Sequence, residues 1–249
     1  MSLTIINDEY LNDIADALRE LHGEDETVVY KPSEMAPRVQ DYLTADARLI
    51  AKTYEGDYTN NGIVKVRPNA FAYLNLNNVE LLNATSLGEY AFSYSNIVSI
   101  TIPKISVIPK CGFYSCKKLV NVDFSHLIQI QASGFEYCTL LGRNSHINCP
   151  LLRYIDETAF ILSGITSIHL PSIETIGYYA FYDTPLNTLI LSGYTVPTLG
   201  EEAISNNNPS LYIYVPRSMI NEYLADENWS VYANKFRAIE DYPEIQALM

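Results

Sequence analysis

The chain has 249 residues, is 48% hydrophobic and carries a formal net charge of −13. Acidity of that size repels phosphate backbones and anionic lipid, and no basic stripe offsets it, which excludes a nucleic-acid or membrane-surface binder. No apolar run of the roughly 18 residues needed to span a bilayer exists, and Asp8, Glu9, Asp13 and Asp16 interrupt any apolar stretch of a secretory leader.

In chain order, residues 1–45 read as a helical module. Asn7 or Asp8 caps a helix to about Leu21, with Tyr10, Leu11, Ile14, Ala17, Leu18 and Leu21 on one face. Gly23 stops it, Glu24-Asp25-Glu26 forms an acidic loop, and Pro32 and Ser33 open a second helix to about Leu43. Two roles fit this module: a cap on the first coil of a downstream repeat array, or a docking element for another protein.

Residues 46–216 repeat. Ala70-Phe71, Ala91-Phe92, Ala159-Phe160 and Ala180-Phe181 are literal copies, and Gly112-Phe113, Gly134-Phe135 and Ala203-Ile204 are degenerate ones. Successive aromatic positions are spaced by 21, 21, 22, 25, 21 and 23 residues. A fixed period in the twenties marks a solenoid whose coils stack only on their neighbours. On the same period run Leu76-x-x-Val79-x-Leu81, Ile97-x-x-Ile100-x-Ile102, Leu119-x-x-Val122-x-Phe124, Ile165-x-x-Ile168-x-Leu170 and Leu186-x-x-Leu189-x-Leu191. Their last three positions alternate apolar, polar, apolar, as a strand does. Pro103, Pro150, Pro171 and Pro216 close several of these strands. The constant interval from proline to the next Phe puts the fourth strand at Ile147-Asn148-Cys149 and the extra residues of the long unit around 140–145.

Position within the repeat also assigns the cysteines. Cys116 and Cys138 fall in the slot of Ser95, Ser163 and Thr184, a layer of small residues, and Cys149 takes the inward slot of Ile102 and Leu170. With Cys111 they read as free structural thiols, since no Cys-x-x-Cys pair or metal-ligand spacing is present. Residues 217–249 read as a helical cap. Leu211–Pro216 is the last strand, Ser218 caps a helix over about 219–225, and Trp229, Tyr232, Phe236 and Ile239 come after it at helical spacing.

The unit Ala-Phe-x-x-small-x-x-Ile-x-x-Ile-x-Leu-Pro…Ile-Gly-x-x-Ala-Phe, clearest from Phe160 through Ile176-Gly177 to Ala180-Phe181, resembles the BspA-type leucine-rich repeat over about residues 60–216. The fold expected is an α/β repeat solenoid of this type: a right-handed stack of about seven coils with helical N-terminal and C-terminal caps. The N-terminal residues Ile14–Glu20 and Lys31–Ala36 resemble a helical module of phage and prophage tail-associated proteins of gut Firmicutes, and residues 49–60 resemble the bridge from that module into such repeats. That second resemblance implies a virion or surface location, reached without a leader, and a tail or baseplate subunit as partner of residues 1–45. The alternative is an adhesin-like protein on a bacterial cell surface.

No enzyme is legible. His22, His126, His146 and His169 lie on different units, and no nucleophile elbow, metal-binding histidine pair or phosphate-binding glycine loop is present. A glycoside hydrolase made from scattered carboxylates is a distant third reading, and no cofactor or metal is expected. What remains is surface. Stacking aligns the residues between the inward ones into two outward ladders. One holds Asn78, Ser99, Asn121, His146, Ser167, Thr188 and Tyr212, the other Glu80, Thr101, Asp123, Asn148, His169, Ile190 and Tyr214. Such rows suit a surface glycan or an extended protein segment, and equally suit a solvated sheet whose side chains bond one another. Twenty tyrosines add a second surface: Tyr90, Tyr94, Tyr114, Tyr137, Tyr178, Tyr179 and Tyr182 cluster beside the Ala-Phe turns, as contact residues or as lids over the turns.

Overall fold

The computed structural model describes residues 55–249; the two helices expected over about 7–21 and 32–43 lie outside the described residues. The described chain runs β1 (Glu55–Thr59), β2 (Lys65–Val66), β3 (Asn75–Glu80), β4 (Ser86–Leu87), β5 (Ser99–Thr101), β6 (Val107–Ile108), β7 (Asn121–Val122) and β8 (Gln129–Ile130). It continues with β9 (His146–Asn148), β10 (Tyr154–Ile155), β11 (Ser167–His169), β12 (Thr175–Ile176), β13 (Thr188–Ile190), β14 (Thr198–Leu199) and β15 (Tyr212–Val215). A short α-helix, α1 (Ile220–Ala225), leads to β16 (Phe236–Ala238), and α2 (Pro243–Gln246) comes last.

The odd-numbered strands and β16 make the front face, in the orders β1-β3-β5-β7 and β9-β11-β13-β15-β16. The even-numbered strands from β2 to β14 make the back, in the orders β2-β4 and β6-β8-β10-β12-β14. Every pairing is parallel. The product is a parallel β-solenoid with nine front rungs rather than seven. Glu55–Thr59 supplies a first rung that the sequence leaves in the bridge, and Phe236–Ala238 a ninth beyond the expected last strand.

The expectation of an α/β repeat is also corrected. The coils return through turns and two-residue strands, because each carries two residues that no helix accepts. One precedes the small residue of the Ala-Phe pair: Tyr90, Cys111, Ser133, Thr158 and Tyr179 all have φ between 53° and 57°. The other comes two residues after the Phe: Tyr73, Tyr94, Ser115, Tyr137 and Asp183 have φ between 55° and 64°. Left-handed residues spaced by four reverse the chain at each end of the pair and break any helical run. The turn aims its N–H groups one way. Those of Tyr90, Phe92 and Tyr94 donate to the carbonyls of Lys110, Gly112 and Tyr114 in the next coil, at 3.1, 2.8 and 2.8 Å.

Between these turns the phenyl rings form one column. Phe71, Phe92, Phe113, Phe135, Phe160 and Phe181 stack near-parallel, with centroids 4.8, 5.1, 5.2, 5.6 and 5.1 Å apart, and Tyr58 closes the first ring edge-on at 5.2 Å. The small-residue slot lies buried beside them. Ser95, Cys116, Cys138, Ser163 and Thr184 are all buried, and the thiols of Cys116 and Cys138 donate to the carbonyls of Phe92 and Phe113, both at 3.0 Å. Cys149 is buried in its inward slot, and burial pushes its thiol up. The glycine of the Ile-Gly motif answers to close approach between coils. A Cβ on Gly200 would lie 2.4 Å from the backbone nitrogen of Tyr178, and one on Gly177 2.7 Å from the carbonyl carbon of Asp156.

The C-terminal helical cap dissolves into pieces. Trp229, Phe236 and Ile239 are buried as their spacing suggests, but Phe236 opens a strand and Tyr232 leaves helical geometry within the kinked 3-10 segment Ser230–Lys235. The indole N–H of Trp229 donates to the carbonyl of Pro197 at 2.7 Å, and its ring meets Tyr223 edge-on at 5.2 Å. Helix α1 has no side-chain cap, so Ser218 does not play that part.

Two substitutions test this packing. Phe160→Ala should cost about 3–5 kcal/mol, the usual range for a buried aromatic, in urea unfolding, whereas exposed Tyr194→Ala should stay within about 0.5 kcal/mol. Gly200→Ala should destabilise by more than the roughly 1 kcal/mol that alanine ordinarily gains over glycine in an element, because backbone must move to admit the methyl group; a stabilised Gly200→Ala protein contradicts the close approach.

Candidate functional site

The outward ladders exist in the register their spacing predicts. Asn78, Ser99 and Asn121 are cross-strand neighbours, as are His146, Ser167, Thr188 and Tyr212. Glu80 pairs with Thr101, and Asn148, His169, Ile190 and Tyr214 succeed one another in the second row. Much of the upper row bonds to itself: the Ser99 hydroxyl donates to Asn78 Oδ1 at 2.7 Å, and the Asn78 amide to Asp57 Oδ1 at 2.9 Å. Asparagine rungs flank it, with Asn96 Nδ2 donating to Asn75 Oδ1 at 3.2 Å and Lys104 Nζ to Asn83 Oδ1 at 2.7 Å.

The two halves of the front face differ. Over β1 to β7 the face is open, and Asn78, Thr101, Asn121 and Asp123 are among its exposed or half-buried residues. Asp123 is held below the usual carboxylate range, first by the Ser125 backbone N–H that donates to it at 2.9 Å and further by nearby His126. Over β11 to β15 the second row is covered. His169, Ile190 and Tyr214 are 4%, 0% and 8% exposed although their parity points them outward. The tail covers Ile190 and Tyr214. Ile239 and Ile245 bury themselves with Ile190 and Tyr214, and Tyr242 meets the Tyr214 ring edge-on at 5.2 Å. The expectation that His169 and its row face solvent is therefore corrected for this half. The signal was present in the sequence, since Ile190 and Tyr214 are apolar where the other rungs are polar.

Between the halves the front ladder stops. Among the described residues no pairing joins β7 to β9, whereas on the back β8 pairs directly with β10. The turn edge is also continuous here, because Ser133, Phe135 and Tyr137 donate to Glu157, Ala159 and Ile161 at 3.1, 2.8 and 2.9 Å. The solenoid is thus parted on one side only. The parting is a cleft of about 300 Å³, walled by Val120–Phe124 and Ser145–Asn148 and floored by Leu141 and Gly142. Asn121, Asp123, His146 and Asn148, candidates from both ladders, come together at its rim. The floor residues were missed, because only the length of the fourth unit marks them.

The tyrosines of the turn edge are mutual lids. Tyr73 and Tyr94 stack at 4.9 Å, and Tyr94, Tyr114 and Tyr137 continue edge-to-face at 5.2 and 5.7 Å. Burial pushes the Tyr114 hydroxyl up to about 12. Among the described residues no three His, Cys, Asp or Glu side chains gather closely enough to hold a metal ion. No helix there is long and apolar enough to cross a membrane.

The family model described as the BspA type leucine rich repeat region matches residues 58–150 and 143–227, in six copies. The chain belongs to that family. Membership places this BspA-type protein among protein-interaction or adhesin-like repeat proteins. Among curated proteins none matches it.

Ile190→Ala discriminates the two views of the covered half. An outward residue in solvent would tolerate the change within about 0.5 kcal/mol; beneath the tail it should cost about 2–5 kcal/mol, while Thr101→Ala on the open half costs little.

Proposed function

We propose that this BspA-type repeat protein is a non-enzymatic recognition protein, and that it takes an extended segment of a partner protein at the open half of its front face and the cleft between β7 and β9. The carrying observation is the one-sided break of the ladder. β7 and β9, each paired on its other edge, face each other there without a pairing, and added strands bind proteins through such main-chain groups. Asn121, Asn148 and Asp123 at the rim supply polar and anionic contacts to the segment's side chains. A peptide is favoured over a glycan because the cleft is lined by no Trp or Tyr and by no Phe other than buried Phe124, and the exposed tyrosines of the turn edge spend ring faces on one another.

The place of action proposed is the tail of a phage or prophage, with residues 1–45 attaching the solenoid to a tail or baseplate subunit. This rests on the resemblance of Ile14–Glu20 and Lys31–Ala36 to tail-associated modules. Tail genes flanking the coding sequence support that setting, and a neighbourhood of cell-wall anchoring genes replaces it with the surface adhesin.

The binding reading is tested by screening the purified protein against a displayed peptide library and a glycan array, then repeating with Asn121→Arg/Asn148→Arg. The expected result is peptide ligands whose affinity falls at least tenfold in the double variant. Ligands that are all glycans, or peptides indifferent to both changes, overturn it.

A further inference from the structure

The break between β7 and β9 leaves a defined set of main-chain groups, and the intact rungs show what those groups take elsewhere. The residue just ahead of a front strand donates to the preceding coil and accepts from the following one. Asn187 N–H goes to the Thr166 C=O, and the Asn187 C=O receives the Tyr212 N–H, both at 2.9 Å. At the strand's end the closing inward residue donates to the following coil, as Leu81 does to Thr101, Leu170 to Ile190 and Leu191 to Tyr214, at 2.9, 2.9 and 2.8 Å. At the break both bonds to the following coil are missing. Val120 N–H reaches the Val98 C=O at 2.9 Å, but the Val120 C=O receives no backbone N–H, and Ser145, ahead of β9, turns back to Gly142 at 3.3 Å. Phe124 N–H, in the closing slot, meets no carbonyl, although Asn148 holds the place of Thr101 and Ile190. One acceptor and one donor are thus left along β7.

The cleft is one-sided in charge as well. Its lining holds one carboxylate, Asp123, and no Lys or Arg; Lys117 and Lys118, ahead of β7, lie outside it. The Asp123 side chain is 63% exposed, with the Ser125 N–H donating to one oxygen at 2.9 Å and His126 Nδ1 3.6 Å from the other. On the open half, Glu80 adds a carboxylate to the same outward row, and Lys104 Nζ is bonded to Asn83 Oδ1 at 2.7 Å. The floor is apolar or bare: Leu141 and Ile147 are buried, and Gly142 has no side chain.

Resting on the recognition reading above, we propose that the segment taken at the cleft is a short basic strand. It runs parallel to β7 and β9, lays a lysine or arginine against Asp123, and turns its alternate, apolar side chains in over Leu141 and Gly142. Direction follows from pairing, because the rung that these main-chain groups meet elsewhere is always parallel. Composition follows from alternation: successive residues of an extended segment face opposite sides, so one set passes Asn121, Asp123 and Asn148 and the other faces the floor. Sign follows from Asp123, which attracts a cation and repels a carboxylate, and so selects between segments of equal main-chain affinity. A second copy of this chain, at net charge −13, is disfavoured by the same field.

The probes are three short acetylated, amidated peptides that alternate Val with Lys, Ser or Glu, titrated calorimetrically into the intact protein at low salt. The Lys peptide should bind about tenfold tighter than the Ser peptide, and the Glu peptide should be weakest. Asp123→Asn should cost the Lys peptide about threefold, the scale of one exposed ion pair, and leave the Ser peptide unmoved. Glu201→Gln/Glu202→Gln, on the last turn, should move neither, which separates a site from general attraction to an acidic protein. N-methylation of every second peptide nitrogen should abolish binding in one of its two phases. A nitroxide on the peptide's N-terminus should broaden the Val120 amide signal more than that of Ser125. Equal binding of the three peptides, or a Lys preference lowered by Glu201→Gln/Glu202→Gln and not by Asp123→Asn, overturns the basic strand and leaves the cleft as a recognition site. Stronger broadening at Ser125 overturns the parallel direction and the proposal with it. Binding of none of the three also overturns it, and only the further failure of every displayed peptide removes the recognition reading.

Discussion

The structure depends on one backbone device, the doubly left-handed turn that carries each phenylalanine inward. Because residues on either side of the Ala-Phe pair take positive φ, alternate N–H groups of the turn all point at the following coil, and alternate carbonyls at the preceding one. A coil therefore cannot satisfy its own turn; its neighbour must. The same geometry sets the ring column, since rings fixed to backbones about 5 Å apart have no choice but to stack. It also orients a column of peptide dipoles along the stack, with donors toward the C-terminal end. The last turn, which accepts from Tyr179, Phe181 and Asp183, carries Glu201 and Glu202, the sign that such a donor end favours.

That device explains why the fourth unit can be long without breaking the molecule. Its extra residues enter between the small-residue slot and the front strand, after the turn has already made its bonds. The turn edge and the back strands keep their register, and only the front rung is displaced. The ring column shows the displacement as its widest step, 5.6 Å between Phe135 and Phe160. Phe124, the one aromatic in the inward slot that closes a front strand, lies 5.5 and 6.4 Å from those two rings and fills the wedge opposite small Cys149. Gly142, at φ 67°, lets the inserted loop pass where any side chain would strike Ile147.

Legibility tracked the period. Strand register, the column of rings, the small-residue slot of Cys116 and Cys138, and the placement of β9 all came from counting residues between equivalent positions, because a stacked coil has one geometry and repeats it. Where a segment occurs once, counting fails. Glu55–Thr59 lacks the apolar triplet, so its strand character was hidden. Phe236 and Ile239 kept helical spacing by coincidence, because one opens β16 and the other begins the 3-10 segment that comes after it. The Ala-Phe turn side was misjudged for a different reason: left-handed φ at tyrosine, cysteine or threonine has no composition signal as glycine does, so the residues that forbid helix look neutral in the sequence.

The candidate surface was legible in address but not in state. Parity alone places His169, Ile190 and Tyr214 in one outward row, and the register agrees. Parity says nothing of what lies above the row. The change from Glu80, Thr101 and Asp123 to Ile190 and Tyr214 divides the face into a half that water covers and a half that protein must cover, and the tail meets that requirement with Tyr242 and Ile245. His169 sits where these regimes meet, polar enough for the first and buried like the second. Its Nε2 meets the Ser192 hydroxyl at 2.7 Å while its Nδ1 is buried without a partner, the polar group this boundary leaves incompletely paired.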